Sequence, residues 1–212
     1  MISSSGGDAM RSRIRATGRY VGAGALLAAL AAPVPAAAEP AQFTLDPEHT
    51  SITFFTHHIG YADIAGMFLE SEGSFTYDEE TRELSDLEVV VQTESVFTNH
   101  EERDGHLRGP DFLNAREFPE MTFVGRSAEP LSDDTGRITG DLTLLGETRP
   151  VTFEARLNKA GRYPFGDEHY AIGVDATGSI RRSDFGMTYA VENGWVGDEI
   201  RIVLGFEAKR QD

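Results

Sequence analysis

Apolar and polar residues alternate along most of the chain from His49 onward. The clearest case is the segment Glu199–Ala208, in which every second residue from Ile200 to Phe206 is apolar. A period of two predicts β-strands, because successive side chains of a strand point to opposite faces. The pattern predicts eight strands: His49–Ile59, Gly66–Tyr77, Leu84–Gln92, Met121–Ala128, Thr139–Leu145, Val151–Leu157, Tyr170–Ile180 and Glu199–Ala208.

Short turn sequences such as DDTG, LGETRP and NKAG separate several of these strands. Local connections of this kind predict an antiparallel meander, which either closes into a barrel or stacks as a sandwich. Closure removes the unpaired edges of a sheet, and an eight-stranded barrel can just hold one small ligand.

One insert interrupts the strand pattern between Val96 and Phe118. Asn99 is a suitable N-cap for a helix, with Glu102 three residues later as its partner in a capping box. Gly109 and Pro110 then predict the end of that helix. We therefore expect one short helix in an otherwise all-β chain.

The first 38 residues have the features of a secretory signal. Four arginines precede the apolar run Tyr20–Ala32, and Ala36, Ala37 and Ala38 fit a small-residue cleavage site before Glu39. The apolar run is short for a membrane span. We expect cleavage of residues 1–38, a periplasmic location, and a single domain over residues 39–212.

Charge and cysteine content exclude several classes of function. Removal of residues 1–38 takes away four arginines and one aspartate, so the net charge of −16 becomes −19. Such a chain is repelled by nucleic acids and by anionic membrane surfaces. The chain has no cysteine, which excludes disulfides, thiol catalysis and metal sites with cysteine ligands.

Several segments, in this order, resemble the YceI-like family. They are LDPEHTSITFFTHHIG, GMF, TESVFTNHEERDGHLRGPDFLNAREFPEMTF, TGDLTLLGETRPVTFEA, SIRRSDFGM and VGDEIRIVLGFEA, and the resemblance extends over essentially all of Phe43 to Lys209. The resemblance implies a secreted, lipocalin-like antiparallel eight-stranded β-barrel with a short helical insert. It further implies a bound isoprenoid lipid, either a polyprenyl chain or a quinone, with no catalytic activity and no other cofactor.

The resemblance and the alternation together predict which residues line the barrel. Alternation alone also fits a lumen filled by side chains, as is common in small barrels, whereas the resemblance implies a tunnel. Ala176 and Gly178 share one inward row and would leave room there. The expected lining residues are Ile52, Phe54, His58, Phe68, Phe75, Val89, Val91, Phe123, Leu142, Leu144, Val174, Ala176, Ile180, Ile202 and Leu204.

The segment HEERD, residues 100–104, is one letter short of the zinc-protease pattern H-E-x-x-H. His100 is present, but Asp104 stands at the second ligand position and no third ligand is indicated. Helix capping also explains these residues, so we expect no metal. A metal-dependent enzyme or hydrolase that uses His100, Asp104, Arg182 and Asp184 is the alternative.

The remaining charged residues near the insert are expected to fix it across one end of the barrel as a polar lattice. In this interpretation Arg182 and Asp184 pair with each other or with charged residues of the insert. His58 is expected at the mouth, either as a structural residue or as a partner of the ligand headgroup. A homodimer is possible for such barrels. The lattice residues are Arg103, Asp104, His106, Asp111, Arg182 and Asp184.

Overall fold

The computed structural model describes residues 39–211, so the predicted signal sequence lies outside the described residues. The described chain is almost entirely β. Its helix is α1 (Glu101–Arg108), and short 3-10 turns cover Thr93–Ser95 and Arg182–Phe185. Its strands are β1 (Ala41–His58), β2 (Ala62–Phe68), β3 (Ser71–Tyr77), β4 (Leu84–Gln92), β5 (Val96–Phe97), β6 (Glu120–Pro130), β7 (Thr135–Leu144), β8 (Glu147–Arg162), β9 (Tyr170–Arg181) and β10 (Val196–Arg210).

The strands form one closed antiparallel barrel. Each strand from β6 to β10 pairs with the next, β4 joins β3 to β6, and β10 returns to pair with β1. Strand β2 pairs with the second half of β1 and β3 with the first half, so β2 and β3 together occupy one position. The barrel therefore has eight positions around its wall, which confirms the fold class expected from the sequence.

The predicted second strand, Gly66–Tyr77, is in fact two strands. The chain leaves the sheet at Leu69 and Glu70, and both of their backbone N–H groups donate to the Ser95 hydroxyl, at 3.2 and 3.1 Å. The break thus depends on a residue that lies 25 positions away in sequence. The first strand also begins earlier than predicted, at Ala41, because residues 41–45 pair with β3 and β10.

The helix begins one residue later than the capping pattern predicts. Asn99 has a left-handed φ of 60°, whereas His100 is extended and its Nδ1 accepts a hydrogen bond from the Arg103 N–H at 3.2 Å. An N-cap residue needs extended backbone, so His100 takes that role and the predicted box between Asn99 and Glu102 was wrong. The predicted end is confirmed, since Gly109 caps the helix through a bond to the carbonyl of His106.

Two groups of buried side chains lie at the two ends of the barrel. Next to α1, at what we call the helix end, buried residues include Val96, Phe112 and Phe185. At the opposite end, called the far end, they include Phe43 and Phe75, whose rings stack with centroids 5.5 Å apart. No helix of the described residues is both long and apolar enough to span a membrane.

Candidate functional site: an apolar cavity in the barrel

The barrel encloses a cavity of about 750 Å³. Its wall is built from the inward-facing side chains of the strands and is almost entirely apolar. All fifteen residues predicted to line the barrel lie on this wall, including His58 at the helix end and Phe75 towards the far end. These side chains therefore surround a cavity and do not fill the lumen as a solid core. Their contact with a ligand stays a prediction.

Several wall residues were missed by the sequence argument. Period two alone would have found most of them, because Ile172 shares its strand face with Val174, and Phe206 shares its face with Leu204. The strand residues that were missed include Met121, Ala155, Leu157, Ile172 and Phe206. No local sequence pattern pointed to Tyr189 and Trp195, which lie in a loop.

Glycines allow large aromatic side chains to lie flat on the wall. Phe54 faces Gly66 across the sheet, and a Cβ at Gly66 would meet three atoms of the Phe54 ring within 2.8 Å. Phe153 faces Gly178 in the same way, with a closest approach of 2.7 Å. The room predicted at Gly178 is thus taken by a ring, which in turn leaves the centre of the lumen open.

The insert packs on the helix end of the cavity. Leu107, Phe112 and Leu113 face the lumen, and we call this part of the insert the lid. The ring of Phe112 contacts those of His106 and Tyr189, with centroids 5.0 and 5.3 Å away. The lid is therefore joined to the loop before β10 through aromatic contacts.

Buried hydrogen bonds fix the start of α1 to the strand before it. Asp104 is buried, and its Oδ1 accepts from the backbone N–H of Thr98 at 2.7 Å and from the Thr98 hydroxyl. Arg103 donates to the same hydroxyl and to the Thr98 carbonyl, both at 2.7 Å. Asp104 therefore has a structural partner at the position where the zinc pattern would need a metal ligand.

Arg182 is almost completely buried and does not pair with an acid in the way expected. Its guanidinium donates to the backbone carbonyls of Met187, Val196 and Gly197 at 2.8 to 2.9 Å. Burial lowers the pKa of Arg182, and the charge of Asp198 partly opposes this. Arg182 thus ties the loop before β10 to the barrel end.

The other lattice residues lie near the surface. His106 and Asp111 form an exposed pair at 3.1 Å. Within residues 39–211, Asp184 is exposed and forms no ion pair, so the expected link between Asp184 and the insert is absent. Asp198, which the sequence argument did not single out, accepts from the Ser183 N–H and hydroxyl at 3.0 and 2.9 Å and pairs with Arg181 at 2.8 Å.

The far end of the cavity is polar. Arg82 pairs with Asp133 at 2.8 Å and donates to the carbonyl of Ser132 at 3.0 Å. Glu129 and Asp134 also reach the cavity there. The far end therefore has charged turns, whereas the helix end combines the apolar side chains of the insert with charged residues such as Glu102 and Arg103.

A second polar cluster lies at the far end on the outside of the barrel. Ligand atoms of Asp46, His49 and Glu207 lie within 4.8 Å of one another. The Lys209 ammonium lies 2.8 Å from Asp46 and already supplies a positive charge. Burial raises the pKa of Asp46, but hydrogen bonds from Lys209 and His49 outweigh burial and lower it to about 2.

Comparison with known proteins decides the family. The sequence model of the YceI-like domain matches residues 43–208. The chain belongs to the YceI-like family. Among curated YceI-like proteins, Protein YceI of Salmonella arizonae is 38% identical over 173 residues, which cover 81% of this chain and 88% of the relative. Protein YceI of Salmonella enteritidis matches equally well.

Solved structures of YceI-like proteins and their neighbours share the fold. A YceI protein of Campylobacter jejuni is 27% identical, with a TM-score of 0.65 over 74% of this chain and 90% of that one. BcnA of Burkholderia cenocepacia, 18% identical, has a TM-score of 0.67 over 77% and 98%. A polyisoprenoid binding domain from Saccharophagus degradans, 12% identical, has a TM-score of 0.63 over 82% and 100%.

Proposed function

We propose that the protein is a periplasmic carrier that holds a long isoprenoid lipid, either a polyprenyl chain or a quinone, inside its barrel. The observation that carries this proposal is the apolar cavity of about 750 Å³, which extends from the helix end to the far end. That volume lies in the range of small-molecule sites, roughly 300–1,000 Å³. The description of the Saccharophagus degradans domain as polyisoprenoid binding supports this class of ligand.

The wall suits a ligand that has little polar surface. Burial of a methylene group contributes about 0.8 kcal/mol, so a prenyl chain needs few directed contacts for tight binding. Rings such as Phe54 and Phe123 give flat apolar surfaces for a chain to lie against. A charged group in the central, apolar part of the lumen would lose its hydration without gaining partners.

The headgroup belongs at the helix end in this proposal. His58 lies there on the cavity wall, is exposed, and can donate to or accept from a quinone oxygen or a prenol hydroxyl. His58→Ala should therefore weaken a quinone more than a hydrocarbon of similar length. Equal losses for both ligands would place the headgroup elsewhere.

Native mass spectrometry tests the ligand class. The protein would be purified from the periplasm without detergent, measured intact, and then extracted with organic solvent. We expect a mass excess that disappears on extraction and an extract that contains a prenyl lipid or a quinone. A barrel that is empty, and that binds neither added prenols nor added quinones, would refute the proposal.

The location has a separate test. Fractionation followed by N-terminal sequencing should find the protein in the periplasm with Glu39 as its first residue. A cytoplasmic protein that keeps residues 1–38 would contradict that part of the proposal.

A further inference from the structure

Two loops at the helix end expose an unusual group of large apolar side chains. The loop between β1 and β2 carries Ile59 and Tyr61, which are 48% and 89% exposed. The loop before β10 carries Tyr189 and Trp195, which are 43% and 57% exposed. We call these four residues the rim.

The rim is ordered by one backbone hydrogen bond between the two loops and one within the loop before β10. The Ile59 N–H donates to the carbonyl of Trp195 at 2.9 Å, and the Val196 N–H donates to that of Ala190 at 3.1 Å. Ile59 has a φ of 50°, a left-handed conformation that is rare for a β-branched residue. The chain thus holds the Ile59 side chain on the surface at a conformational cost.

The rim is continuous with the cavity. Ile59, Tyr189 and Trp195 are exposed to solvent and also line the lumen, whereas Tyr61 lies outside the lumen. Apolar side chains therefore lie both on the outside of the barrel and on the wall of its lumen at this opening. Glu102 and Arg103 of the insert also line the cavity at the helix end, but a ligand that left beside the rim would meet Tyr189 and Trp195.

We propose that the rim docks on a lipid bilayer with uncharged or zwitterionic headgroups, so that lipid passes between the bilayer and the lumen without crossing water. This inference rests on the proposed lipid ligand. Trp and Tyr are enriched at membrane–water interfaces, where their apolar rings and polar tips are both satisfied. Such contacts need only shallow insertion of apolar side chains.

Charge also favours this type of bilayer. A quarter of the whole chain is charged, yet residues 59–62 and 186–191 contain no charged side chain, and Glu192 is the one acidic residue between Tyr189 and Trp195. The chain as a whole carries a net charge of −16, which repels anionic lipids. We therefore expect docking on phosphatidylcholine and weaker docking when anionic lipid is added at low salt.

The area of the rim argues against a second copy of the chain as its partner. Large aromatic side chains bury about 150–250 Å² each, so four half-exposed side chains offer on the order of 400 Å². A stable interface needs about 800 Å² from each partner. The rim is large enough for shallow insertion into a bilayer but small for a dimer contact.

Trp195 supplies a built-in probe, because it is the only tryptophan in the chain. The protein that starts at Glu39 contains the whole closed barrel, and it lacks the apolar run of residues 20–32, which would itself bind lipid. With vesicles of phosphatidylcholine brominated on its acyl chains, we expect strong quenching of Trp195 emission. Quenching no greater than with unbrominated vesicles would overturn the inference.

Substitution of Tyr61 tests the rim without changing any residue that lines the lumen. Tyr61→Ser should reduce vesicle flotation about tenfold, as the loss of one inserted aromatic side chain implies. Phe165→Ser is the matched control, because Phe165 is 67% exposed on the β8–β9 turn at the far end. An equal loss in both variants, or no loss in Tyr61→Ser, would overturn the inference.

A transfer assay separates this inference from the proposed function. Solanesol, a long polyprenol, would be presented either from ethanol or in phosphatidylcholine vesicles. We expect Tyr61→Ser to bind solanesol from ethanol as tightly as the parent and to acquire it more slowly from vesicles. Equal uptake from vesicles by both proteins would overturn the docking role, whereas no binding in either format would refute the lipid ligand itself.

Light scattering tests whether the rim is instead a dimer contact. A dimer that is lost in Tyr61→Ser, together with no vesicle binding by the parent, would assign the rim to a dimer and overturn docking.

Discussion

The ring of Phe54 lies across Gly66, its partner on β2, so that a Cβ atom at Gly66 would fall 2.2 Å from Cζ of the ring. The three nearest atoms to that Cβ all belong to Phe54, and the backbone is not among them. Gly66→Ala should therefore turn the ring into the lumen. Because the displaced ring would occupy volume that the ligand needs, we expect the affinity for solanesol to fall about tenfold, or by about 1.4 kcal/mol, in a fluorescence competition assay.

Two further variants control for this effect. Gly173→Ala adds the same methyl group on β9, where nothing lies within 4 Å of the new Cβ, and it should leave the affinity unchanged. Shortening the ring in Gly66→Ala/Phe54→Leu should restore most of the binding. If the double variant bound as weakly as Gly66→Ala, displacement of the Phe54 ring would not be the cause.

Arg182 and its neighbour Arg181 should differ sharply in their effect on stability. Arg182→Met leaves three carbonyls without their donor, so it should lower the free energy of unfolding by about 3 kcal/mol. Arg181 is 70% exposed and pairs with Asp198 at 2.8 Å, so Arg181→Met should cost less than about 1 kcal/mol. Urea unfolding measures both values. Similar losses in the two variants would contradict the role assigned to Arg182.

The fall in the free energy of unfolding at acidic pH should depend on Asp46. Its folded-state pKa of about 2 lies below the ordinary value of 3.8, so the carboxylate stabilises the fold above pH 4. That stability, about 2 kcal/mol, is lost as the pH falls from about 4 to about 2. Asp46→Asn should be less stable at pH 7 and should lose this part of the pH dependence.

Urea unfolding at several pH values between 2 and 7 measures the effect of Asp46→Asn. Asp184→Asn is the control, since Asp184 is exposed and has no ion-pair partner among residues 39–211. An unchanged fall in the free energy of unfolding at acidic pH in Asp46→Asn would show that the pair with Lys209 does not set it.

His100 caps α1, and its substitution should destabilise the start of the helix. His100→Ala removes the acceptor for the Arg103 N–H and should cost about 1 kcal/mol in urea unfolding. Stoichiometric zinc in the purified protein that disappeared in His100→Ala would instead support the metal-enzyme alternative.

Period two was sufficient to predict strands such as β4, whose bounds match the prediction at both ends. Together with the family resemblance it also predicted fifteen residues of the cavity wall, although others such as Ile172 and Phe206 were missed. The alternation did not predict features that depend on contacts with residues distant in sequence or on an unusual backbone conformation. The break before β3 depends on Ser95, and the helix cap on the left-handed backbone of Asn99.

The role of Arg182 could not have been predicted for a similar reason. An arginine that is expected to be buried is usually assigned a carboxylate partner. The guanidinium of Arg182 instead donates to three backbone carbonyls. Every residue has a backbone carbonyl, so the sequence does not indicate which carbonyls will accept these hydrogen bonds. The same limit applies to the rim, because exposure of Tyr61 and Trp195 depends on how two distant loops meet.

Strand β9 allows a direct test of whether the lipid occupies the lumen. Ala176 is buried and faces the cavity, and Thr177 is exposed on the outer face of the same strand. Ala176→Trp would fill the lumen with an indole ring, whereas Thr177→Trp would place the same ring in solvent. Circular dichroism would establish that both variants keep the fold.

The deciding measurement is titration of both folded variants with solanesol. If the prenyl chain lies inside the barrel, Ala176→Trp should lose at least about tenfold in affinity, because its lumen no longer accommodates the chain. Thr177→Trp should bind like the parent. A folded Ala176→Trp variant that bound solanesol as tightly as Thr177→Trp would contradict a ligand site in the lumen.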